Sequence, residues 1–261
     1  MPRFSANLGF LWPDRPLPER MRAAARAGFQ AIELHWPYDT DPAQVRALCA
    51  ELGLTLLGIN TEPGHVAGGE FGLGALPGRE ADCRAAVERA IAWADASGAS
   101  AIHVMAGVLP ADQRARASDT FVANLRDAAP LAAAHGLTLL LEPINQRDKP
   151  GYFYSTLAEA ERIIERVGHD NVRLMFDAYH VGVTEGDVLT RLERHLPHTA
   201  HVQFAAVPSR AEPDEGELRI EALFERLDAL GYAGWVGCEY KPRGDTEAGL
   251  AWLHKLGVTL R

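Results

Sequence analysis

Four polar residues lie at or near the ends of apolar segments in the second half of the sequence. The segment LTLLLE ends in Glu142, and VRLMFD ends in Asp177. Further along the chain, HVQF contains Gln203 and WVGCE ends in Glu239. A carboxylate that is buried without a partner either becomes neutral or pairs with a cation. Because all four side chains offer oxygen atoms, they favour a hard divalent cation, Mg²⁺ or Mn²⁺, over Zn²⁺.

Each of these residues also has a simpler interpretation. A glutamate at the end of a strand is more often solvated or paired with a nearby Arg or Lys, and ion-pair networks can mimic functional sites. Four such residues on four successive segments are harder to explain in that way, because three converging carboxylates would repel one another without a cation between them. We therefore predict that the four residues bind one divalent metal ion.

The segments that carry these residues belong to a repeated pattern of a short apolar run, a turn, an amphipathic helix and a glycine-marked turn. Near-continuous apolar strands that alternate with helices indicate a parallel sheet covered by helices. Eight such units indicate a closed (β/α)₈ barrel, and the sequence has no GxGxxG turn to support a doubly wound sheet. The predicted strands are Phe4–Phe10, Ala31–Trp36, Leu54–Asn60, Ala101–Gly107, Leu137–Pro143, Val172–His180, Ala200–Val207 and Gly234–Tyr240.

The length of the chain fits one domain of this kind. A TIM barrel takes about 250 residues. The chain has 261, so residues 1–261 are predicted to form a single TIM-barrel domain of the α/β class. Active sites of such barrels lie at the C-terminal ends of the strands, which is where the four predicted ligands stand.

Composition limits the partners that we expect. The formal net charge of −9 weighs against a nucleic acid, because a phosphate backbone usually requires a basic surface. The segment MPRFSANLGF lacks the apolar region of a signal peptide, and no apolar run approaches the roughly 20 residues that span a bilayer. We therefore expect a cytoplasmic protein that acts on a small molecule and binds no membrane, and homo-oligomerisation stays open.

Longer segments around the four residues resemble the hydroxypyruvate isomerase family of the xylose isomerase-like barrel superfamily, which includes 2-oxo-tetronate isomerases. The resemblance implies that all four residues are metal ligands and that Glu142 and Glu239 also act as proton donor and acceptor. The ketose epimerases of this superfamily usually carry His in place of Gln203, so the glutamine favours the isomerase branch. The segments that carry the resemblance are Asn60–Gly64, Leu76–Glu80, Leu140–Phe153, Leu174–Val181, His201–Glu217 and Gly237–Trp252.

The reaction that this resemblance implies is a metal-dependent isomerisation of hydroxypyruvate to tartronate semialdehyde, or of a closely related small oxo-hydroxy acid. Protons would pass between the two glutamates through an enediolate. The alternatives are a 2-oxo-tetronate substrate, a ketose 3-epimerase that acts on a longer sugar, and a hydride shift in place of proton transfer. A barrel endonuclease would require a set of histidine zinc ligands that the strand ends lack, and a silent sugar-acid-binding barrel would not require both glutamates.

Two histidines are candidates for binding the substrate. His180 follows Asp177 by three residues and is predicted to lie in the loop that leaves the sixth strand, at the barrel mouth. His65 lies in the long loop after the third strand, which is a candidate lid. For His180 the alternative is a loop residue that contacts solvent or the backbone.

Three charged residues after the seventh and eighth strands complete the candidate set. Arg210 suits a substrate carboxylate, because a guanidinium binds that group bidentately, and Lys241 offers the same charge from the next loop. Glu212 is a candidate for the same site. The alternative for Arg210 is a structural contact with Glu212 or Asp214.

Overall fold

The computed structural model of the protein describes residues 1–260 and contains a closed barrel of eight parallel strands. Each strand pairs with its neighbour in the sequence, and the last strand pairs with the first from Arg3–Trp235 to Ala6–Cys238. The predicted TIM barrel is therefore confirmed. Strands β1 to β8 span Arg3–Asn7, Ala31–Glu33, Thr55–Asn60, Ala101–His103, Thr138–Leu141, Val172–Asp177, Thr199–Phe204 and Trp235–Cys238.

Helices connect the strands. The helix Leu157–Val167 shows how the sequence sets their ends: Thr156 and Glu159 form a capping box at its start, and Gly168, with a φ of 69°, terminates it. No helix in residues 1–260 combines the length and the apolar character needed to cross a membrane. Helices α1 to α10 span Leu17–Ala27, Pro42–Leu52, Glu80–Ser97, Arg114–Ala134, Leu157–Val167, Ala178–Thr184, Val188–His195, Ile220–Ala229, Thr246–Gly249 and Ala251–Lys255. Short 3₁₀ helices span Val66–Gly68, Ala111–Gln113 and Leu196–His198.

An aromatic cluster holds the last part of the chain against the first. Phe4 of β1 packs edge-on against Phe224 of α8, with ring centroids 4.8 Å apart, and against Trp252 of α10 at 6.1 Å. Phe204 of β7 contacts the same two rings. Such pairs contribute about 0.5–1.5 kcal/mol each beyond the area that they bury. The cluster therefore helps to fix β7 and β8 beside β1, which positions the residues at their ends.

Several predicted strands are too long at their C-terminal ends. The strand β4 ends at His103 and β8 ends at Cys238, so the residues beyond them leave the sheet as loops. The strand β6 ends at Asp177, and α6 follows directly because the Asp177 side chain accepts a hydrogen bond from the Tyr179 amide and caps the helix. The prediction that His180 lies in a loop is therefore wrong, since it lies in the first turn of this short helix.

Candidate active site

The barrel brings the four predicted metal ligands to the C-terminal ends of four adjacent strands. Glu142 directly follows β5 and Asp177 ends β6, whereas Gln203 lies in β7 and Glu239 directly follows β8. All four are buried, and the most exposed of them, Glu239, is 6% exposed. Asp177 and Gln203 are register partners on neighbouring strands, so their side chains point to the same side of the sheet. Their placement matches the sequence-based expectation, and metal binding stays a prediction.

Three oxygen atoms of this group are buried and receive no hydrogen bond from any group in residues 1–260. They are Glu142 Oε1, Asp177 Oδ2 and Gln203 Oε1. A buried acceptor without a partner costs about 1–3 kcal/mol, so three in one place require an explanation. A hard divalent cation would satisfy all three, because it prefers carboxylate and amide oxygens. The residues therefore fit an oxygen-ligated metal ion.

The carboxyl groups of the site affect one another's ionisation. Burial, together with the charges of Glu239 and Asp177, raises the pKa of Glu142 well above its usual value. Burial and the charge of Glu239 also raise the pKa of Asp177 well above its usual value. The protein alone therefore disfavours the ionised forms of Glu142 and Asp177, whereas a divalent cation would favour them.

Glu239 differs from the other two carboxyl groups because several donors face it. Its Oε1 accepts a hydrogen bond from Asn7 Nδ2 at 3.2 Å and lies 3.3 Å from His35 Nε2. Its Oε2 accepts one from Arg210 Nη2 at 3.3 Å. Burial alone would raise the pKa of Glu239, but the hydrogen bond with His35 and the charge of Arg210 lower it to about 2. Glu239 is therefore an ionised carboxylate held in a fixed orientation.

His180 presents an N–H group to the centre of the site. The backbone amide of Asn145 donates to His180 Nδ1 at 3.2 Å, so the proton of the neutral ring is on Nε2. Burial and the charge of Arg210 lower the pKa of His180 well below its usual value, which keeps the ring neutral. Nε2 lies 3.8 Å from Glu142 Oε1 and 3.6 Å from Asp177 Oδ2. Although these three residues are close enough to share a metal ion, this tautomer makes His180 Nε2 a hydrogen-bond donor and not a metal ligand.

Two cavities meet at these residues. One, of about 390 Å³, opens at the barrel mouth, and the other, of about 290 Å³, continues inside the barrel to the N-terminal ends of the strands. Glu142, Glu239, His103 and Asn60 line both cavities. The volume of the mouth cavity suits a small-molecule ligand. The mouth cavity is lined by Gly9, Phe10, His35, Trp36, Asn60, Phe71, His103, Met105, Glu142, Ile144, Asp148, Lys149, His180, Arg210, Glu239 and Lys241.

Arg210 lies at the mouth, but its partners differ from those predicted. Its Nη1 lies 3.0 Å from Asp148 Oδ2, and its Nη2 contacts Glu239. The alternative of a contact with Glu212 or Asp214 is therefore wrong. The residue has a φ of 58°, a left-handed conformation that is uncommon for arginine, so the loop holds the guanidinium in place at some cost in backbone strain.

The three remaining candidate substrate-binding residues lie in different parts of the structure. Lys241 lines the mouth cavity, as predicted. Glu212 is buried elsewhere, because its carboxylate accepts hydrogen bonds from the backbone amide and the guanidinium of Arg243. His65 is exposed in the loop after β3, where its backbone amide donates to Glu70, and it does not line the mouth cavity. The structure therefore does not bring Glu212 or His65 to the mouth cavity, and their contact with the substrate stays a prediction without support from their placement.

Sequence analysis missed several residues that support the site. Glu33 and His35 lie two positions apart in the segment AIELHW, so both side chains point toward the barrel interior. This spacing in the sequence could have identified them as residues of the site. Asn7 at the end of β1 gave no comparable signal. Lys149 follows β5 by eight residues and lines the mouth cavity only because the intervening loop turns back over the barrel.

Glu33 forms a buried hydrogen-bond network below Gln203. Its Oε2 accepts a hydrogen bond from Gln203 Nε2 at 2.7 Å and lies 3.0 Å from His201 Nε2. Its Oε1 accepts one from the Ser5 hydroxyl at 2.5 Å. Burial would raise the pKa of Glu33, but the charge of His201 and these hydrogen bonds hold it below its usual value. Glu33 is therefore a buried carboxylate with a donor on each oxygen.

The fold and site together define a TIM barrel with an acidic, oxygen-rich mouth suited to a divalent cation. Residues 21–256 match the xylose isomerase-like TIM barrel family, and the chain belongs to that family. A 2-oxo-tetronate isomerase from Cupriavidus necator is 49% identical over 254 residues, which cover 97% of this chain and 98% of that protein. A hydroxypyruvate isomerase from Escherichia coli is 37% identical over 254 residues, which cover 97% of this chain and 98% of that protein.

A solved structure is also very similar. The crystal structure of a Brucella melitensis protein named AP endonuclease, family 2, superposes with a TM-score of 0.94 at 43% identity, covering 98% of this chain and 99% of that one. Because the curated relatives are isomerases that align over nearly their whole length, this chain is an enzyme of the isomerase class.

Proposed function

We propose that this enzyme isomerises a small oxo-hydroxy acid, hydroxypyruvate or 2-oxo-tetronate, with a divalent cation bound by Glu142, Asp177, Gln203 and Glu239. The observation that carries the proposal is that Glu142 and Glu239 line one cavity, next to the buried oxygen atoms of Glu142, Asp177 and Gln203 that fit a cation. The relatives support the substrate class, because they are named for these two acids.

In the proposed mechanism, Glu142 and Glu239 exchange protons with adjacent carbon atoms of the substrate. The cation, Mg²⁺ or Mn²⁺, would polarise the carbonyl and hydroxyl oxygens of the substrate and acidify the C–H bond between them. One glutamate removes that proton and the other returns a proton to the neighbouring carbon, while the hydroxyl proton passes to the former carbonyl oxygen. The two glutamates then regain their starting forms by proton exchange with solvent. His180 donates its Nε2–H to a substrate oxygen, and Arg210 holds Glu239 in the orientation that this transfer requires.

Two lysines at the mouth favour an anionic substrate. Lys149 Nζ lies 3.8 Å from the centre of the Phe71 ring, and Lys241 Nζ lies 5.9 Å from that of Phe10. In residues 1–260, lysine forms a salt bridge only at Lys255, which pairs with Asp214, so the charges of the two mouth lysines are available to a ligand. A small acid would place its carboxylate toward them and its reacting carbons toward the two glutamates.

Lys149→Ala and Lys241→Ala should each raise the KM for the acid substrate about tenfold with little change in kcat. A hydrogen bond to a charged group contributes about 1.5–3 kcal/mol, and partial exposure reduces this amount. Steady-state kinetics with hydroxypyruvate and 2-oxo-tetronate would measure the effect. Lys255→Ala is the matched control, because it removes a lysine outside the cavity and should leave KM unchanged. An unchanged KM in both mouth variants would contradict this orientation of the substrate.

A substrate panel tests the function itself. We expect turnover of hydroxypyruvate, of 2-oxo-tetronate or of both with added Mg²⁺ or Mn²⁺, and none of an uncharged ketohexose. An oligonucleotide that contains an abasic site should not be cleaved, since the formal net charge of −9 disfavours a phosphate backbone. Turnover of the ketohexose alone would replace the proposal with an epimerase, and cleavage of the oligonucleotide alone would replace it with an endonuclease.

A further inference from the structure

We propose that Glu33 is a positioning residue that fixes the amide of Gln203 with its oxygen, and not its nitrogen, toward the bound cation. The inference rests on the proposed metal site. It explains why a neutral amide, which can be turned in either direction, would act as a dependable ligand.

The chemistry of the two side chains determines the direction of the amide. An amide has an acceptor oxygen on one side and a donor NH₂ group on the other, whereas a carboxylate offers only acceptors. Because Glu33 Oε2 lies 2.7 Å from the amide nitrogen, a reversed amide would place two acceptor oxygens against each other. The NH₂ group must therefore face Glu33. The oxygen then points away, where it is buried and receives no hydrogen bond from residues 1–260.

Glu33 is itself held in place from several directions. Ser5 on β1 donates to one of its oxygens, and His201 on β7 contacts the other. Gly237 on β8 leaves room for it, because a Cβ atom there would lie 2.4 Å from Glu33 Oε1 and 2.9 Å from Gln203 Cγ. The side chain is 5% exposed, so water competes little for its hydrogen bonds. The carboxylate is therefore a fixed reference point for the amide.

The test is the affinity of the protein for Mn²⁺, measured by titration calorimetry or by the electron paramagnetic resonance signal of the free ion. In Glu33→Gln, the new amide can donate to or accept from Gln203, so the direction of Gln203 is no longer determined. We expect Mn²⁺ to bind about 10–100 times more weakly, as is common when a partner of a metal ligand is lost. Glu161→Gln is the matched control, because it alters another glutamate in contact with a histidine, His195, and should leave Mn²⁺ affinity unchanged.

A swap of the two residues provides the sharper test. In the double variant Glu33→Gln/Gln203→Glu, the donor and the acceptor exchange places, so an oxygen again faces the cation. We expect the double variant to bind Mn²⁺ more tightly than Glu33→Gln alone. If Glu33→Gln does not fold, Ser5→Ala, which loosens Glu33 without changing any charge, should weaken Mn²⁺ binding in the same direction.

The outcomes separate this inference from the proposed function. If the wild-type protein binds Mn²⁺ and Glu33→Gln, or Ser5→Ala in its place, binds it equally well, Glu33 does not position Gln203. A double variant no better than Glu33→Gln would also overturn the inference. If the wild-type protein does not bind Mn²⁺, the metal site fails, and this inference fails with it.

Discussion

Replacing Glu142 or Glu239 with glutamine is expected to lower turnover by about 10²–10⁴-fold at saturating Mn²⁺, because each variant loses one of the two groups proposed to move protons. Glutamine keeps the size of the side chain and an oxygen that can still bind a cation. The Kd for Mn²⁺ measured beside kcat therefore separates loss of proton transfer from loss of metal. Near wild-type turnover in both variants would show that the glutamates do not carry the reaction.

The same kinetic assays, repeated in D₂O, distinguish proton transfer by the glutamates from a hydride shift. Turnover in D₂O should place deuterium at the new C–H bond if a glutamate returns the proton, because its carboxyl group exchanges with solvent. Glu161→Gln serves as the control for both measurements, since it makes the same chemical change at a glutamate that contacts His195 outside the mouth cavity.

Removal of the divalent cation is expected to abolish isomerase activity and to destabilise the protein increasingly as pH rises. The pKa values of Glu142 and Asp177 are raised in the folded protein. Without a cation, their contribution to the free energy of unfolding is fully present below the ordinary carboxyl pKa, about 4, and is lost as pH rises through the raised values. Glu239, whose pKa is lowered, is ionised throughout this range.

A bound cation should prevent this loss of folding stability at higher pH. It stabilises the ionised form of each ligand, and its binding releases protons. The difference in Tm between samples with Mn²⁺ and samples with EDTA should therefore widen as pH rises from about 5 to about 8. Thermal unfolding followed across this range, together with recovery of activity when Mg²⁺ or Mn²⁺ is returned, provides the measurement. A difference that narrows with rising pH, or activity that survives EDTA, would contradict the proposed metal site.

The sequence predicted the barrel and the positions of the four candidate ligands because both depend on local patterns. An apolar run that ends in a carboxylate is visible in the sequence, and parallel strands in a barrel bring such ends together. The partners of these residues depend on contacts between distant segments. Glu33 meets Gln203 across 170 positions, and Asn7 meets Glu239 across 232. No local pattern reports such pairs.

Side-chain and backbone contacts near the site explain other differences between the predicted and the observed structure. Asp177 ends β6 and also caps α6, because its short side chain reaches the amide of Tyr179, and the start of a helix within VRLMFDAYH was not predicted. Arg210 pairs with Asp148 and Glu239 because its left-handed backbone turns the side chain toward the barrel mouth, away from its sequence neighbours. The tautomer of His180 depends on a backbone amide 35 positions away.

The closed barrel divides the site between the two halves of the chain. Strands β5 to β8 carry both glutamates and every predicted ligand, whereas Asn7, Glu33 and His35, which orient Glu239 and Gln203, come from β1 and the β2 segment. A fragment that contained only the second half would keep the reactive groups and the Arg210–Glu239 contact but would lose the hydrogen bonds from Asn7, Glu33 and His35. Substitutions in the first half should therefore alter how well the enzyme performs its reaction, whereas those in the second half decide whether it performs the reaction at all.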